Sequence, residues 1–141
     1  MRFAVLIALA IAVVGFYPSA GVAQTSTIAL PDCLGHPVVK PTSVTLACAD
    51  ANFRIEHIQW TGWGESFAAG KGTAVVNDCE PSCAGGHFHN YPMLLIVTGR
   101  QTCPSGRSAY EKIEYAFVGN SPFPKATAEN ATQDVACKPR P

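Results

Sequence analysis

The stretch MLLIVT, residues 93–98, is an uninterrupted run of apolar and β-branched side chains. A run of this length is too short for an ordinary helix and matches one β-strand. A continuous apolar run is typical of a strand that is covered on both faces. The stretch therefore predicts a central, doubly covered strand of a sheet, and the rest of the chain can be placed around it.

Alternating patterns on both sides of this run predict further strands. Residues 43–48, 57–61 and 110–118 alternate between apolar and polar side chains, and residues 73–76 are mostly small or β-branched. Period two indicates half-buried strands. Turn formers recur at intervals of roughly 8–15 residues, and residues 65–69 allow only a short helical turn. The sequence predicts a single small all-β domain, β-sandwich-like or a partly open barrel.

The first 23 residues have the order of a cleavable signal peptide. Arg2 carries a positive charge, residues 3–16 are apolar or small, and small residues precede a predicted cleavage after Ala23. The apolar run is shorter than the about 20 residues that cross a bilayer, so we expect no stable membrane insertion after cleavage. The exported protein then divides into an extended N-terminal arm (24–41), a β domain (42–118) and a Pro-rich C-terminal tail (119–141).

The charges are balanced and dispersed. The chain has ten Lys and Arg residues against ten Asp and Glu residues, and no run of like charge. Nucleic-acid and anionic membrane partners need a concentrated basic patch. We therefore expect no nucleic-acid partner, and we expect an extracellular or envelope ligand instead.

Cysteine usage agrees with export. All six cysteines lie beyond the predicted cleavage site, and they are disulfide candidates: Cys33, Cys48, Cys79, Cys83, Cys103 and Cys137. An even number in an exported chain predicts up to three disulfides, and spacing alone does not choose the pairing. Each bond is expected to stabilise the domain by about 2–4 kcal/mol.

One loop carries a possible metal-ligand pattern. Cys79 and Cys83 are followed by His87 and His89, with Asp78 adjacent, and such side chains bind Zn²⁺ or copper. In an oxidising compartment the favoured alternative is that both cysteines form disulfides while the histidines serve the surface or structure. A weaker site using His87, His89 and a carboxylate would survive this oxidation.

Aromatic residues suggest a binding surface. Trp60 and Trp63, with Tyr91 nearby, can form a platform for a sugar or another flat ligand. The odd separation of the two tryptophans predicts opposite faces of a strand, with Trp60 in the core beside Ile58 and Trp63 exposed at a bend. Trp63 and Tyr91 are therefore the candidate binding residues.

Signs of catalysis are weak. The chain has no Gly-x-Ser-x-Gly motif and no cysteine expected to stay reduced. A small hydrolase would instead need Asp50, His57 or Glu65 within hydrogen-bond reach of one another. Turn formation is the favoured explanation of Asp50, because an aspartate there accepts hydrogen bonds from backbone N–H groups.

Several short motifs resemble a family of small exported actinobacterial proteins. They are LACAD at residues 46–50, the Trp60 and Trp63-Gly64 pair, GKGT at 70–73, NDCEPSCA at 77–84, and Gly86 with Tyr91-Pro92. The resemblance covers about residues 41–118 and implies export and a compact domain. It brings no activity or ligand, and Cys33, Cys103 and Cys137 lie outside the centre of the motif.

These patterns together predict a secreted, non-catalytic binding or interaction module without a resident cofactor. Two alternatives stay open from the residues alone. One is an exported protein that binds Zn²⁺ or Cu²⁺ through the loop from Cys79 to His89. The other is a small secreted hydrolase with an unrecognised site.

Overall fold

The computed structural model describes residues 27–64, 66–123 and 131–138, and every regular element in these ranges is a β-strand. The predicted signal peptide lies outside the described residues. The strands are β1 (Leu30–Pro31), β2 (Pro37–Val38), β3 (Val44–Thr45), β4 (Phe53–Trp63), β5 (Phe67–Asn77), β6 (Phe88–Thr98), β7 (Gln101–Thr102), β8 (Ser108–Ala109), β9 (Lys112–Phe117) and β10 (Ala131–Asp134). The predicted all-β fold is confirmed.

Six strands form one antiparallel sheet in the order β10-β9-β6-β5-β4-β3. The long strands β4, β5 and β6 are successive hairpins, and β9 returns to pair with β6. The sheet curls into a half-barrel, which corresponds to the partly open barrel among the predicted architectures. Strand pairs β1-β2 and β7-β8 form two small ribbons beside it.

The predicted central strand is β6, and its two faces differ. Met93, Leu95 and Val97 are at most 1% exposed on the concave side. Leu94 is 53% exposed and Ile96 is 43% exposed on the convex side. The expectation that both faces are covered is wrong, because within the described residues no second layer packs on the convex face.

The concave side holds the core. Its buried members come from nearly every strand: Ile28, Leu30, Val44, Leu46, Ile55, Ile58, Ala68, Ala74, Val76, Met93, Leu95, Val97, Tyr110 and Ile113. Burying one large aliphatic side chain contributes about 1.5–3 kcal/mol. Strand β9 follows the alternation predicted for residues 110–118. Ile113 is buried, and Tyr115 and Phe117 on the same face pack partly buried against the core.

The N-terminal arm belongs to this core. Ile28, Ala29 and Leu30 are at most 2% exposed, and Ala29 forms a parallel bridge with Ala109. The backbone N–H of Ala29 donates to the Ser108 carbonyl at 3.1 Å. Residues 28–30 therefore close the core from the β7-β8 side.

Part of the Pro-rich tail also has a structural role. Residues 131–134 form β10 on the edge of the sheet beside β9. The Gln133 side-chain amide donates to the Leu46 carbonyl at 3.1 Å, which links this edge to the segment after β3 at the other edge. At the start of β5, Phe67 is already in a strand, so the short helical turn expected for residues 65–69 is wrong for the described residues 67–69.

All six cysteines are paired. The bonds are Cys33–Cys48, Cys79–Cys83 and Cys103–Cys137. The first ties the arm to the turn before β4, and the last ties the C-terminal segment to the turn between β7 and β8. Disulfides of this kind persist in oxidising, extracytoplasmic compartments.

Candidate functional site

The loop with the metal-ligand pattern is closed by its own disulfide. Cys79 and Cys83 bond to each other, so neither offers a thiolate to a metal. The four-ligand site formed with His87 and His89 is therefore wrong for this oxidised structure. Among the described residues, no three His, Cys, Asp or Glu side chains lie close enough to hold a metal ion.

Asp78 organises this loop instead. One carboxylate oxygen accepts hydrogen bonds from the backbone N–H groups of His87 at 2.9 Å and Glu80 at 3.1 Å. The other lies 2.8 Å from Nε2 of the exposed His89 ring. The His87 N–H above all, then the His89 ring and the Glu80 N–H, hold the pKa of Asp78 well below its usual range. His87 contributes its backbone to this arrangement, and its side chain is exposed.

Asn77 anchors the loop to the sheet from inside. The residue is 8% exposed, and its side-chain amide donates to Asn52 Oδ1 at 3.0 Å and to the Cys83 carbonyl at 2.9 Å. The side-chain Oδ1 of Asn77 accepts from the Cys79 N–H at 2.9 Å. Buried polar atoms are stabilising only when satisfied in this way. The polar residues of the loop are thus engaged in holding its shape.

Phe88, where the loop enters β6, is 49% exposed. The Arg54 guanidinium lies 4.9 Å from the centre of its ring, and Arg54 Nε also donates to Glu56 at 2.6 Å. A cation stacked on a ring in this way covers one aromatic face. Phe88 is therefore not a free aromatic platform.

The two tryptophans pack on each other. Their ring centres are 4.7 Å apart, edge to face, and both rings are partly buried against the core. Strand β4 carries two extra residues relative to β5, the first between Glu56 and Gln59 and the second between Trp60 and Gly62. The second bulge lies between the two tryptophans and reverses the side-chain alternation there, so the prediction of opposite faces is wrong.

Trp63 is consequently a structural residue. Its indole N–H donates to the Ile28 carbonyl at 2.9 Å, and its ring meets Tyr110 edge to face at 5.3 Å. Tyr91 lies elsewhere: Trp63 pairs with Ala68 and Tyr91 with Ala74, towards opposite ends of β5. The structure does not bring the two candidate binding residues together.

Tyr91 belongs to an aromatic group at the far end of the sheet. Its ring meets Phe117 edge to face at 5.9 Å. Phe117 in turn contacts Phe53 and Phe123, and Phe53 also contacts Tyr115. Ring contacts of this kind fill the end of a core. Tyr91 is only partly exposed there, so we assign it to packing.

Of the candidate hydrolytic residues, the two that the structure describes, Asp50 and His57, form no hydrogen bond with each other. Asp50 accepts hydrogen bonds from the backbone and side chain of Asn52, at 3.1 and 2.8 Å, and these lower its pKa. His57 is exposed at the first bulge of β4, with a positive φ of 53°. Glu65 lies outside the described residues. Asp50 therefore has the turn-forming role that the sequence also allowed.

A cleft of about 710 Å³ opens on another side of the molecule, between the turn of the β1-β2 ribbon, the turn of the β7-β8 ribbon and the C-terminal segment. Its lining residues are Gly35, His36, Pro37, Cys103, Pro104, Ser105, Arg107 and Lys138. Small-molecule sites commonly have volumes of roughly 300–1,000 Å³. We call this the three-segment cleft.

The first wall is a turn built by Asp32. Its carboxylate Oδ1 accepts from the backbone N–H groups of Leu34 at 2.9 Å and His36 at 2.8 Å. The backbone N–H of Asp32 donates to the His36 carbonyl at 2.9 Å, and that of Gly35 donates to the Asp32 carbonyl at 2.8 Å. An aspartate that bonds to following backbone amides stabilises a tight turn.

The second wall is the turn from Cys103 to Arg107. The backbone N–H of Cys103 donates to the Arg107 carbonyl, and that of Gly106 donates to the Cys103 carbonyl, both at 2.8 Å. Gly106 has a positive φ of 79°, which glycine adopts without strain. The turn therefore presents Arg107 in a fixed backbone position.

The third wall is the C-terminal segment, held by Cys103–Cys137 and by the partly buried side chain of Gln101. The Gln101 side-chain amide donates to the carbonyls of Tyr110 at 2.8 Å and Val135 at 2.7 Å. Its side-chain Oε1 accepts from the Cys137 N–H at 3.2 Å. Lys138 follows directly and enters the cleft lining.

Gly35 lets the first and third walls touch. Its φ is +81°, and a Cβ at this position would overlap the backbone nitrogen of Lys138. The Lys138 N–H points to the Gly35 carbonyl at 3.4 Å. Any side chain at position 35 would therefore displace the segment that carries Lys138.

The charge of the cleft is one-sided. Among the described residues, His36, Arg107 and Lys138 line it, and no Asp or Glu does. Asp32 on the same turn accepts backbone N–H groups through Oδ1, and its Oδ2 lies 3.4 Å from Nδ1 of His36. Within the described part of the chain, Arg107 and Lys138 form no ion pair.

Sequence analysis did not identify this cleft. Its walls come from positions around 35, 105 and 138. The second and third walls are joined by the Cys103–Cys137 disulfide, and cysteine spacing alone did not assign this pair. The available local signals were the turn-forming Asp32 and two glycines, Gly35 and Gly106. These residues predict turns, and they do not predict that the turns face each other.

Comparison with known proteins gives no match, whether to a protein family, a curated protein or a solved structure. The described chain also contains no helix that is long and apolar enough to span a bilayer. Function is therefore inferred from the geometry of the molecule itself.

Proposed function

We propose that this protein is an exported, non-catalytic binding module that holds a small extracytoplasmic ligand in the three-segment cleft. The observation that carries the proposal is the pre-organisation of the cleft, because each of its walls is fixed by covalent or hydrogen bonds before any ligand arrives.

Export is supported by two features. Residues 1–23 have the pattern of a signal peptide. All six cysteines form disulfides, which suits an oxidising compartment. We therefore place the ligand in the envelope or outside the cell.

Pre-organisation favours binding at the cleft over other surfaces. A ligand that enters a rigid site avoids most of the cost of ordering loops, which is about 0.5–1.5 kcal/mol for each side chain immobilised. The convex face of β6 has no comparable enclosure, and the Asp78 loop satisfies its own polar groups. We therefore favour the cleft over these two surfaces as the ligand site.

The experiment is an NMR titration of the disulfide-bonded protein with pools of small extracellular compounds, including sugars, organic acids and amino acids. We expect amide shifts to concentrate at residues 34–37, 103–107 and 137–138. The Ser105→Trp variant, which fills the cleft, should abolish them. Gln59→Trp, an exposed change on β4, is the matched control and should leave binding intact.

Two results would contradict this proposal. One is a set of binders whose shifts map to the convex face or the Asp78 loop. The other is unchanged binding in the Ser105→Trp variant while its thermal unfolding matches that of the native protein. Export is tested separately by N-terminal sequencing of the protein from the culture medium, which should begin at Gln24.

A further inference from the structure

We infer that the ligand of the three-segment cleft carries an oxyanion group: a carboxylate, a sulfate or a phosphate. This inference rests on the proposed function and names the chemistry of the ligand. It is drawn from the charge, the donor groups and the size of the cleft.

The charge of the lining selects an anion. Arg107 and Lys138 bring two positive charges to a space in which no described residue of the lining is acidic. An anion that binds between two positive charges is attracted by both. Because the chain as a whole has equal numbers of acidic and basic residues, this concentration is local and does not reflect a basic protein.

The donors suit an oxyanion in particular. A guanidinium group presents parallel N–H donors that match the two oxygens of a carboxylate or phosphate. Arg107 supplies such a group from one wall, and Lys138 supplies an ammonium from another. The Ser105 hydroxyl lies in the same lining and adds a neutral donor. An oxyanion between the walls can therefore accept hydrogen bonds from more than one segment.

The size and the remaining lining indicate more than a bare ion. A volume of about 710 Å³ exceeds what one phosphate or sulfate fills. Pro37 and Pro104 give the cleft apolar surface next to the charged groups. A small organic molecule with an anionic group and an uncharged body, such as an acidic sugar, fits both parts. The anion can come from a uronic acid or from a sugar phosphate, and the experiment separates these sources.

The test compares ligands that differ in one group, using the protein with its three disulfides intact. Glucose, glucuronate and glucose 6-phosphate share the sugar ring, and inorganic phosphate and sulfate supply the anion alone. We expect glucuronate or glucose 6-phosphate to bind at least about tenfold more tightly than glucose, with shifts at the cleft. The stronger of the two identifies the source of the anion. Affinity should fall as salt is raised, because salt screens exposed charges.

Variants assign the effect to the named residues. Arg107→Gln and Lys138→Gln should each weaken binding of the anionic sugar by about tenfold, the effect expected for one charge-assisted hydrogen bond. Lys112→Gln removes the same charge from β9, outside the cleft, and should leave affinity unchanged. Thermal unfolding of all three variants should match that of the native protein, since none of these side chains is buried.

The outcomes separate the two proposals. Equal affinity for glucose and glucuronate at the cleft would overturn the oxyanion inference and leave the binding function standing. The absence of cleft shifts with every anionic probe up to about 10 mM would also overturn it. Loss of binding in Lys112→Gln to the same degree as in Lys138→Gln would show that overall charge, and not the cleft, is responsible.

Discussion

The two faces of β6 carry similar apolar side chains, but one face is buried and the other is exposed. Met93, Leu95 and Val97 are buried at the centre of the core, whereas Leu94 and Ile96 are 53% and 43% exposed. The difference teaches that an apolar run does not reveal how many layers a sheet has. A strand distributes its side chains alternately to two faces, and only the surrounding fold decides whether each face is covered.

Each apolar side chain of the exposed face has one charged and one small neighbour. Leu94 pairs with Lys71 on β5 and Ala116 on β9, and Ile96 pairs with Glu114 on β9 and Ala69 on β5. Long charged side chains on adjacent strands keep water and charge close to the two apolar residues. Scattered exposed apolar residues of this kind are common in folded proteins. The concave face, in contrast, is filled by both termini of the described chain as well as by the sheet.

The largest expected effect tests the difference between the two faces of β6 directly. Leu95→Ala should lower the free energy of unfolding by about 3–5 kcal/mol, because it leaves a cavity in the core. Leu94→Ala, one residue away, should change it by less than about 0.5 kcal/mol. Chemical denaturation of both variants measures the difference. Equal losses would mean that the convex face is covered in solution.

The next effect concerns the segments that close the concave face. Replacing Cys103 and Cys137 together by serine should cost about 3–4 kcal/mol, because this bond spans 34 residues. The same change at Cys79 and Cys83, which are 4 residues apart, should cost only about 2 kcal/mol. Calorimetry under oxidising conditions gives both values. If the short bond proves the more important, the loop, and not the terminus, controls the stability of the domain.

The smallest expected effect concerns the start of β6, where the alternation of side chains no longer predicts which residues are buried. His89 has the parity of the concave face, yet its side chain is exposed and bonds to Asp78. The carboxyl pKa of Asp78 is lowered in the folded protein, chiefly by the His87 N–H. A lowered pKa contributes stability above the ordinary carboxyl value, near about 3.9, and this contribution is lost as pH falls through the lowered value.

Asp78→Asn should therefore reduce the melting temperature most above the ordinary carboxyl pKa. The difference from the native protein should shrink below about pH 4, where the native carboxylate also becomes protonated. Thermal unfolding at a series of acidic pH values measures it. A difference that grows below about pH 4 would contradict the assigned role of the carboxylate.

Local patterns were sufficient for much of the fold. Alternation in residues 110–118 predicted the inward side chains of β9, and MLLIVT predicted the central strand. The same reasoning failed for Trp63, because the bulge in β4 between Trp60 and Gly62 reverses the alternation. Bulges arise from how two strands pair, so one strand read by itself does not contain the signal. The partial burial of Tyr91 was missed for a similar reason: its ring neighbour Phe117 is distant in sequence.

The sequence by itself determined that this is an all-β chain, through period-two alternation and turn formers, since these are local preferences of the backbone. It also supplied an even set of cysteines without choosing their partners. Only the tertiary structure decided which face of β6 is buried, which cysteines join, and that Gly35, Arg107 and Lys138 surround one cleft. The physical reason is that burial, disulfide pairing and clefts depend on contacts between residues far apart in the chain, and local preferences do not encode those contacts.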